Sequence, residues 1–211
     1  MSGILESEHL LKQKLSDLLG PNKISKERSS DFDLLPLLKP QKTELQSATV
    51  LIPITFDNDG PLVIFTRRAK HLRNHAGQIA FPGGKVEESD SSDMQAVIRE
   101  CFEEIHLKPA DVNILGMLAQ HDTVTGYSIS PFVGLIKNHN KLKPELSEVS
   151  EIFKIPLKFL LNKKNMQIQN YTFNGCQRSY YTIPYGPYYI WGATAYIIKT
   201  FSDLVENYEQ E

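Results

Sequence analysis

Cysteine is nearly absent. Cys101 and Cys176 are the only two, far apart and with no CxxC spacing. That usage gives no disulfide framework and no zinc-ribbon pattern, and it fits two reduced thiols in a reducing compartment. Long apolar runs are also missing, since no stretch approaches the ~18–20 residues that a membrane span needs. The opening residues, MSGILESEHLLKQK, carry early acids and no apolar h-region, so they do not read as a secretion signal. The closing VENYEQE carries no Ser-Lys-Leu address. Excess charge of one sign is lacking as well. The net charge of −2 provides no global field for nucleic acid or membrane, so an anionic ligand would need a local basic patch. There is no internal repeat and no low-complexity tract. The expected setting is the cytoplasm.

The 211 residues suit one domain with an added arm. Residues 1–45 read as an N-terminal helical arm and linker, and 46–211 as the main domain. Leu11, Leu15 and Leu18 recur at helical spacing before Gly20-Pro21 stops them. ATVLIPIT, Ala48 to Thr55, reads as a buried strand; DNDG signals a turn, and PLVIFTRR is the returning strand. After the Pro82-Gly83-Gly84 break, a helix is predicted over Asp93 to Ile105. Ser92 and Gln95 form its capping box, and Met94, Val97, Cys101 and Ile105 its apolar stripe. VNILGMLAQHDT and SISPFVGLIK read as strands, and SEVSEIFKIPLKFLL as a strand edge leading into a short helix. QNYTF and RSYYTIPY suggest a hairpin, and YYIWGATAYIIKTFSDLVEN a final helix with Gly192 at a close packing point. The irregular alternation points to an α/β fold with a mixed β-sheet sandwiched between α-helices.

Glu100, Glu103 and Glu104 fall at i, i+3 and i+4, on one face of the predicted helix. Like charges at this spacing cost a few tenths of a kcal/mol per pair. The last turn is also the negative end of the helix dipole. Arg99 and Lys108 are the local groups that could offset this. A hard divalent cation is the other candidate, because Mg²⁺ takes carboxylate oxygens and keeps waters for a phosphate-bearing substrate.

The stretch from Gly84 resembles the Nudix box. Gly84 is followed by five residues and Asp90, and later by Arg99-Glu100-Cys101-Phe102-Glu103-Glu104-Ile105-His106-Leu107. It departs from the box in three places: Asp90 stands for a Glu, one extra residue precedes Arg99, and His106 stands for a Gly. The longer spacing is similar to the coenzyme A diphosphatase branch of the Nudix hydrolases. So is the upstream run of Arg67 or Arg68, Leu72-Arg73, Gly77 and Phe81-Pro82-Gly83-Gly84-Lys85. EVSEIFKIPLKFLL and IWGATA, later in the chain, agree with the same branch.

The resemblance implies the Nudix fold and hydrolysis of coenzyme A to 4′-phosphopantetheine and adenosine 3′,5′-bisphosphate. It implies Mg²⁺ or Mn²⁺ held by Glu100, Glu103, Glu104 and a distal carboxylate, Glu148 in preference to Glu151. Arg99 would orient the carboxylates, with Glu103, Glu104 and Glu148 sharing the catalysis. Arg67 or Arg68, together with Arg73 and Lys85, would take the substrate's phosphates, since an arginine fork matches a phosphate. His71 and His75 read as surface residues. The tyrosines from Tyr171 to Tyr189 and Trp191 could stack on adenine, although core filling suits most of them. The implied partner is a small-molecule substrate of the coenzyme A class, with no nucleic acid and no membrane, and a homodimer is common in the family. The alternatives are cleavage of ADP-ribose or NADH, and a Nudix module that senses a nucleotide without turnover. His106 is the reason to consider the sensor: the position past a helix end often needs φ > 0, where glycine is favoured, so the last glutamates could shift. Because all three glutamates remain, an active enzyme is expected.

Overall fold

The computed structural model describes residues 7–20, 28–34, 44–173 and 176–210. Cys176 belongs to a strand, but its side chain lies outside the described set, as do most of the predicted linker and both of its prolines. The helices are α1 (Glu8–Leu19), α2 (Asp93–Ile105), α3 (Leu157–Leu161) and α4 (Gly192–Gln210). The strands through the first half are β1 (Ser29–Ser30), β2 (Gln46–Asp57), β3 (Gly60–Arg68), β4 (Ile79–Ala80) and β5 (Gly83–Lys85). Then come β6 (Val112–Met117), β7 (His121–Asp122), β8 (Tyr127–Ile136), β9 (Val149–Pro156), β10 (Gln167–Phe173), β11 (Cys176–Tyr185) and β12 (Tyr188–Trp191).

The main sheet runs β1-β7-β8-β2-β3-β4, with β5 added to β2, β6 to β8 and β9 to β3. It is mixed: β2 and β8 run parallel, whereas β2 and β3 form the expected hairpin, closed between Asp57 and Gly60. One face carries α2, with Val97, Cys101 and Ile105 packed against Leu51, Ile64 and Phe132. Full burial of each large apolar side chain stabilises by about 1.5–3 kcal/mol. The other face holds the larger core, which takes in Leu11, Leu15, Leu18 and Leu19 of α1, Ile183 and Ile190 of a small β10-β11-β12 sheet, and the inner stripe of α4. Helices on both faces make the expected sandwich. Among the described residues, no helix is long and apolar enough to cross a membrane.

Three local expectations are corrected. Met94 is 49% exposed, and Ala96 joins the buried stripe in its place. Periodicity identifies the face of a helix, not how far the sheet extends beneath it. Tyr188–Trp191 is a strand paired with β11, and α4 begins only at Gly192. Gly192 has φ +63° and open space where a Cβ would stand, so it serves the strand-to-helix bend rather than packing. The capping box is shifted: Ser92 Oγ accepts from the Gln95 N–H, but Gln95 Oε1 accepts from Ser91 rather than Ser92.

Residues 28–34 are fastened to the β7–β8 turn. His121 is fully buried, with its ring nitrogens bonded to Ser29 Oγ at 2.9 Å and Asp31 Oδ1 at 3.0 Å. Asp31 Oδ2 also accepts the Val124 N–H, and Asp33 accepts the Tyr196 hydroxyl. Asp31→Ala would strand a buried ring nitrogen and a backbone donor. We expect it to lower unfolding free energy by about 1–3 kcal/mol, read by urea denaturation; an unchanged midpoint would exclude a stabilising role for the fastening.

Candidate active site

The Gly83-Gly84 turn presses the backbone against its surroundings on two sides. Gly83 has φ +147°, and a Cβ there would come within 2.2 Å of the Thr49 carbonyl oxygen, which belongs to the paired strand. At Gly84 a Cβ would come within 2.5 Å of the Glu100 carboxyl group. The missing side chains let Glu100 rest on the turn. They also let the Gly83 N–H donate to Glu104 Oε2 at 3.1 Å.

Arg99 holds the opposite side of the group. Its Nε donates to Asp90 Oδ1 at 3.0 Å and its Nη2 to Asp90 Oδ2 at 2.9 Å, the bidentate geometry of a guanidinium on a carboxylate. Nη1 donates to Glu100 Oε1 and to Glu103 Oε2, each at 2.9 Å, and Nη2 also donates to the Lys85 carbonyl at 3.1 Å. Every N–H of the guanidinium is thereby used. Asp90 also accepts the Glu87 N–H. These bonds hold its carboxyl below the usual range and raise the arginine further above its own. The box's irregularities therefore compensate one another, because the shorter Asp side chain and the extra residue before Arg99 still give a two-bond pairing.

The helix end is also intact. His106 adopts the left-handed conformation, φ 54° and ψ 31°. Its N–H bonds to the Phe102 carbonyl and that of Leu107 to Cys101, so the last turn closes as it would around a glycine.

Glu104 is only 4% exposed, and burial pushes its carboxyl up to about 8 against the local pull of the Gly83 N–H and Arg68. Burial raises Glu100 as well, with Arg99 opposing. Glu148 is exposed at the turn before β9, yet its charge reaches both Glu100 and Glu104 and raises each. Glu103 is 54% exposed at the rim. The set offers hard carboxylate oxygens whose own repulsion is incompletely neutralised, which is the donor chemistry Mg²⁺ or Mn²⁺ takes. Among the described residues, no three such side chains close on a single point in this conformation. The carboxylates are spread across Arg99 and Gly83 rather than gathered into a cage.

The basic run is divided. Arg68 Nη1 lies 3.8 Å from Glu104 Oε1, at the acidic group. Arg67 instead pairs with Glu151 at 3.3 Å and lies over the Tyr188 ring, whose hydroxyl donates to Glu151 at 2.7 Å. Tyr188 stacks flat on Phe153 at 3.7 Å. Glu151 is thus engaged by Arg67 and Tyr188, whereas the charge of Glu148 acts on Glu100 and Glu104. Arg73 is exposed in the turn-rich segment before β4. The Lys85 ammonium stands over the Tyr127 ring. His71 and His75 are exposed, bonded to the Ser147 carbonyl and to Gln78. Sequence reasoning does not single out Tyr188 or the Gly83 N–H. Both act through strand registers that no local pattern encodes.

The raised Glu104 carboxyl has a consequence for stability. It binds its proton more tightly folded, near 8, than unfolded, near 4.5. Stability of the metal-free protein therefore falls as pH rises across that window. Glu104→Gln should remove the fall, melting above the parent beyond pH 8 in chelator. Parallel melting curves for the two proteins would refute the assignment.

A family model described as the NUDIX domain matches residues 45–170. A protein of Escherichia coli (strain K12), described as an uncharacterized Nudix hydrolase NudL, is 37% identical over 171 residues, covering 81% of this chain and 88% of the relative. A protein of Shigella boydii serotype 18 with the same description matches with the same identity and coverage. Among solved structures, a MutT protein from Methanosarcina mazei aligns with TM-score 0.46 and 18% identity over 80% of this chain and 97% of that one. The Nudix hydrolase RenU of M. smegmatis aligns with TM-score 0.46 and 18% identity over 54% and 71%. The family model covers more than half of the sequence, and the E. coli relative covers most of it: the chain belongs to the Nudix hydrolase family.

Proposed function

We propose that this Nudix hydrolase cleaves the diphosphate of coenzyme A or its derivatives, releasing 4′-phosphopantetheine, or its acylated form, and adenosine 3′,5′-bisphosphate. Family membership already makes it a divalent-cation-dependent hydrolase of nucleoside diphosphate derivatives; coenzyme A is the added step. The observation that carries it is the extended box, in which Asp90 pairs with Arg99 in two bonds despite the extra residue. The upstream Leu72-Arg73, Gly77 and Phe81-Pro82-Gly83-Gly84-Lys85 support it.

Glu100, Glu103, Glu104 and Glu148 would hold Mg²⁺ or Mn²⁺. When bound, such ions neutralise diphosphate oxygens and acidify a coordinated water. Arg99 orients Glu100 and Glu103, and Gly83 orients Glu104. Arg68, beside Glu104, would take a phosphate oxygen, with Arg73 and Lys85 as further cationic groups. Arg67, fixed by Glu151 and Tyr188, would present its charge from the other side of β3. Glu148 is the distal carboxylate of choice, because Glu151 is held by Arg67 and Tyr188. A homodimer remains part of the proposal on family grounds.

A substrate panel with product analysis tests the reading. Coenzyme A and its thioesters should be cleaved faster than ADP-ribose or NADH, and the reverse order would sink the coenzyme A assignment. Glu103→Gln and Glu104→Gln should each lower turnover by orders of magnitude at saturating Mg²⁺. Arg99→Lys, which cannot reproduce the bidentate fork, should cost roughly 10–100-fold. Glu148→Gln should lower kcat far more than Glu151→Gln does. Equal losses would remove the distinction between the two glutamates.

A further inference from the structure

The small sheet has two edges, and they are finished differently. β12 is four residues long and lies between Pro187 and Gly192. A short strand beside a proline is one way in which a sheet blunts an edge. β10 pairs only with β11 among the described residues, which leaves its other side open. From Asn165 to Gln177 the sequence has no proline and no charged residue, so the common edge protections are missing. The strand is also uncovered above and below. Gln167 to Thr172 are all exposed. Ile168 is 51% exposed on one face and Tyr171 41% on the other.

The register decides which backbone groups face outward. Phe173 pairs with Cys176 across a two-residue connection. The closing pair of such a hairpin exchanges both backbone hydrogen bonds, and bonding alternates along the ladder from there. Phe173, Tyr171, Gln169 and Gln167 therefore bond to β11, while Ile168, Asn170 and Thr172 direct their N–H and C=O groups away from it. A second copy of β10 matches that array. Turned about a two-fold axis at Asn170, the copies run antiparallel, with Asn170 opposite the partner's Asn170 and Ile168 opposite the partner's Thr172. All three outward residues then bond, giving roughly six backbone hydrogen bonds. Ile168 and Thr172 are both β-branched and form a favourable cross-strand pair. On the other face, Tyr171 meets Tyr180 edge to face at 5.4 Å, a diagonal contact because Tyr180 stands opposite Gln169. The same diagonal across the new axis leads from Tyr171 to the partner's Tyr171. Neutral strand meets neutral strand, so no like charges oppose one another.

We propose that β10 is a self-association edge: two copies of this chain pair through it, antiparallel about Asn170, and join their three-stranded sheets into one. This gives a surface to the homodimer put forward above on family grounds, and it does not depend on which substrate is cleaved. A seven-residue edge is small for a specific interface, so the dimer is reversible and concentration-dependent.

Sedimentation equilibrium of the full-length protein over a concentration series tests the proposal. A monomer–dimer equilibrium in the micromolar range is expected. Amide exchange at Ile168, Asn170 and Thr172 should slow as the dimer forms. Asn170→Lys sets like charges opposite each other on the axis and should weaken dimerisation by roughly 100-fold. Asn170→Asp should do the same. Mixed in equal amounts, the two variants should recover a heterodimer, an outcome that misfolding cannot produce; thermal melting checks that each variant folds. The proposal is overturned by a protein that stays monomeric to ~100 µM, by association that continues past the dimer, or by edge amides protected equally at every concentration. It is also overturned by a mixture that fails to recombine, or by a dimer indifferent to Asn170→Lys. In that last case the homodimer stands through another face. The coenzyme A assignment is untouched by all of these results and fails only on the substrate panel.

Discussion

The site depends on one guanidinium. Arg99 joins the loop, through Asp90 and the Lys85 carbonyl, to the helix, through Glu100 and Glu103, and it uses every donor it has to do so. Carboxylates at this helical spacing repel, and the end of the helix dipole adds to the penalty. The arginine offsets part of that repulsion and also fixes where the oxygens point. A lysine would carry the same charge but could not hold a loop and two glutamates at once.

What Arg99 leaves unneutralised is as informative as what it binds. Glu104 lies on the other side of the group, buried, with one backbone N–H and the more distant Arg68 as partners. Its carboxyl is raised into the neutral range because the charged form is poorly solvated there. The chain thus keeps a deficit of positive charge where a hard cation would sit, and glycine at two consecutive positions brings the backbone close enough to support it. The dipeptide serves two ends, a left-handed turn at Gly83 and room for a carboxyl group over Gly84.

Much of this was legible in the sequence, and the boundary of legibility has a physical cause. The 93–105 helix followed from period and capping residues, and the left-handed position of His106 from its place after the last turn. The β2–β3 hairpin followed from a turn signal between two apolar runs. By contrast, the adjacent Arg67 and Arg68 look equivalent in sequence, yet they serve opposite partners. The register of β3 against β9 shifts between them, which only the folded sheet determines. Tyr188–Trp191 reads as helix because four apolar residues lead without punctuation into a helical pattern. The break is Gly192, and its sign of φ is not written in its neighbours.

The contact between Tyr188 and Glu151 also bears on where this protein could be cut. The matched family segment stops at residue 170, in the middle of β10. Beyond it lie Ile183 and Ile190, fully buried in the larger core, and the tyrosine that holds the Arg67 pair. A chain trimmed to the family boundary would open its own interior and leave one strand without a partner. The limit of the shared pattern is therefore not a limit of folding. In this protein the C-terminal strands and α4 complete the body that carries the Arg99 and glutamate cluster.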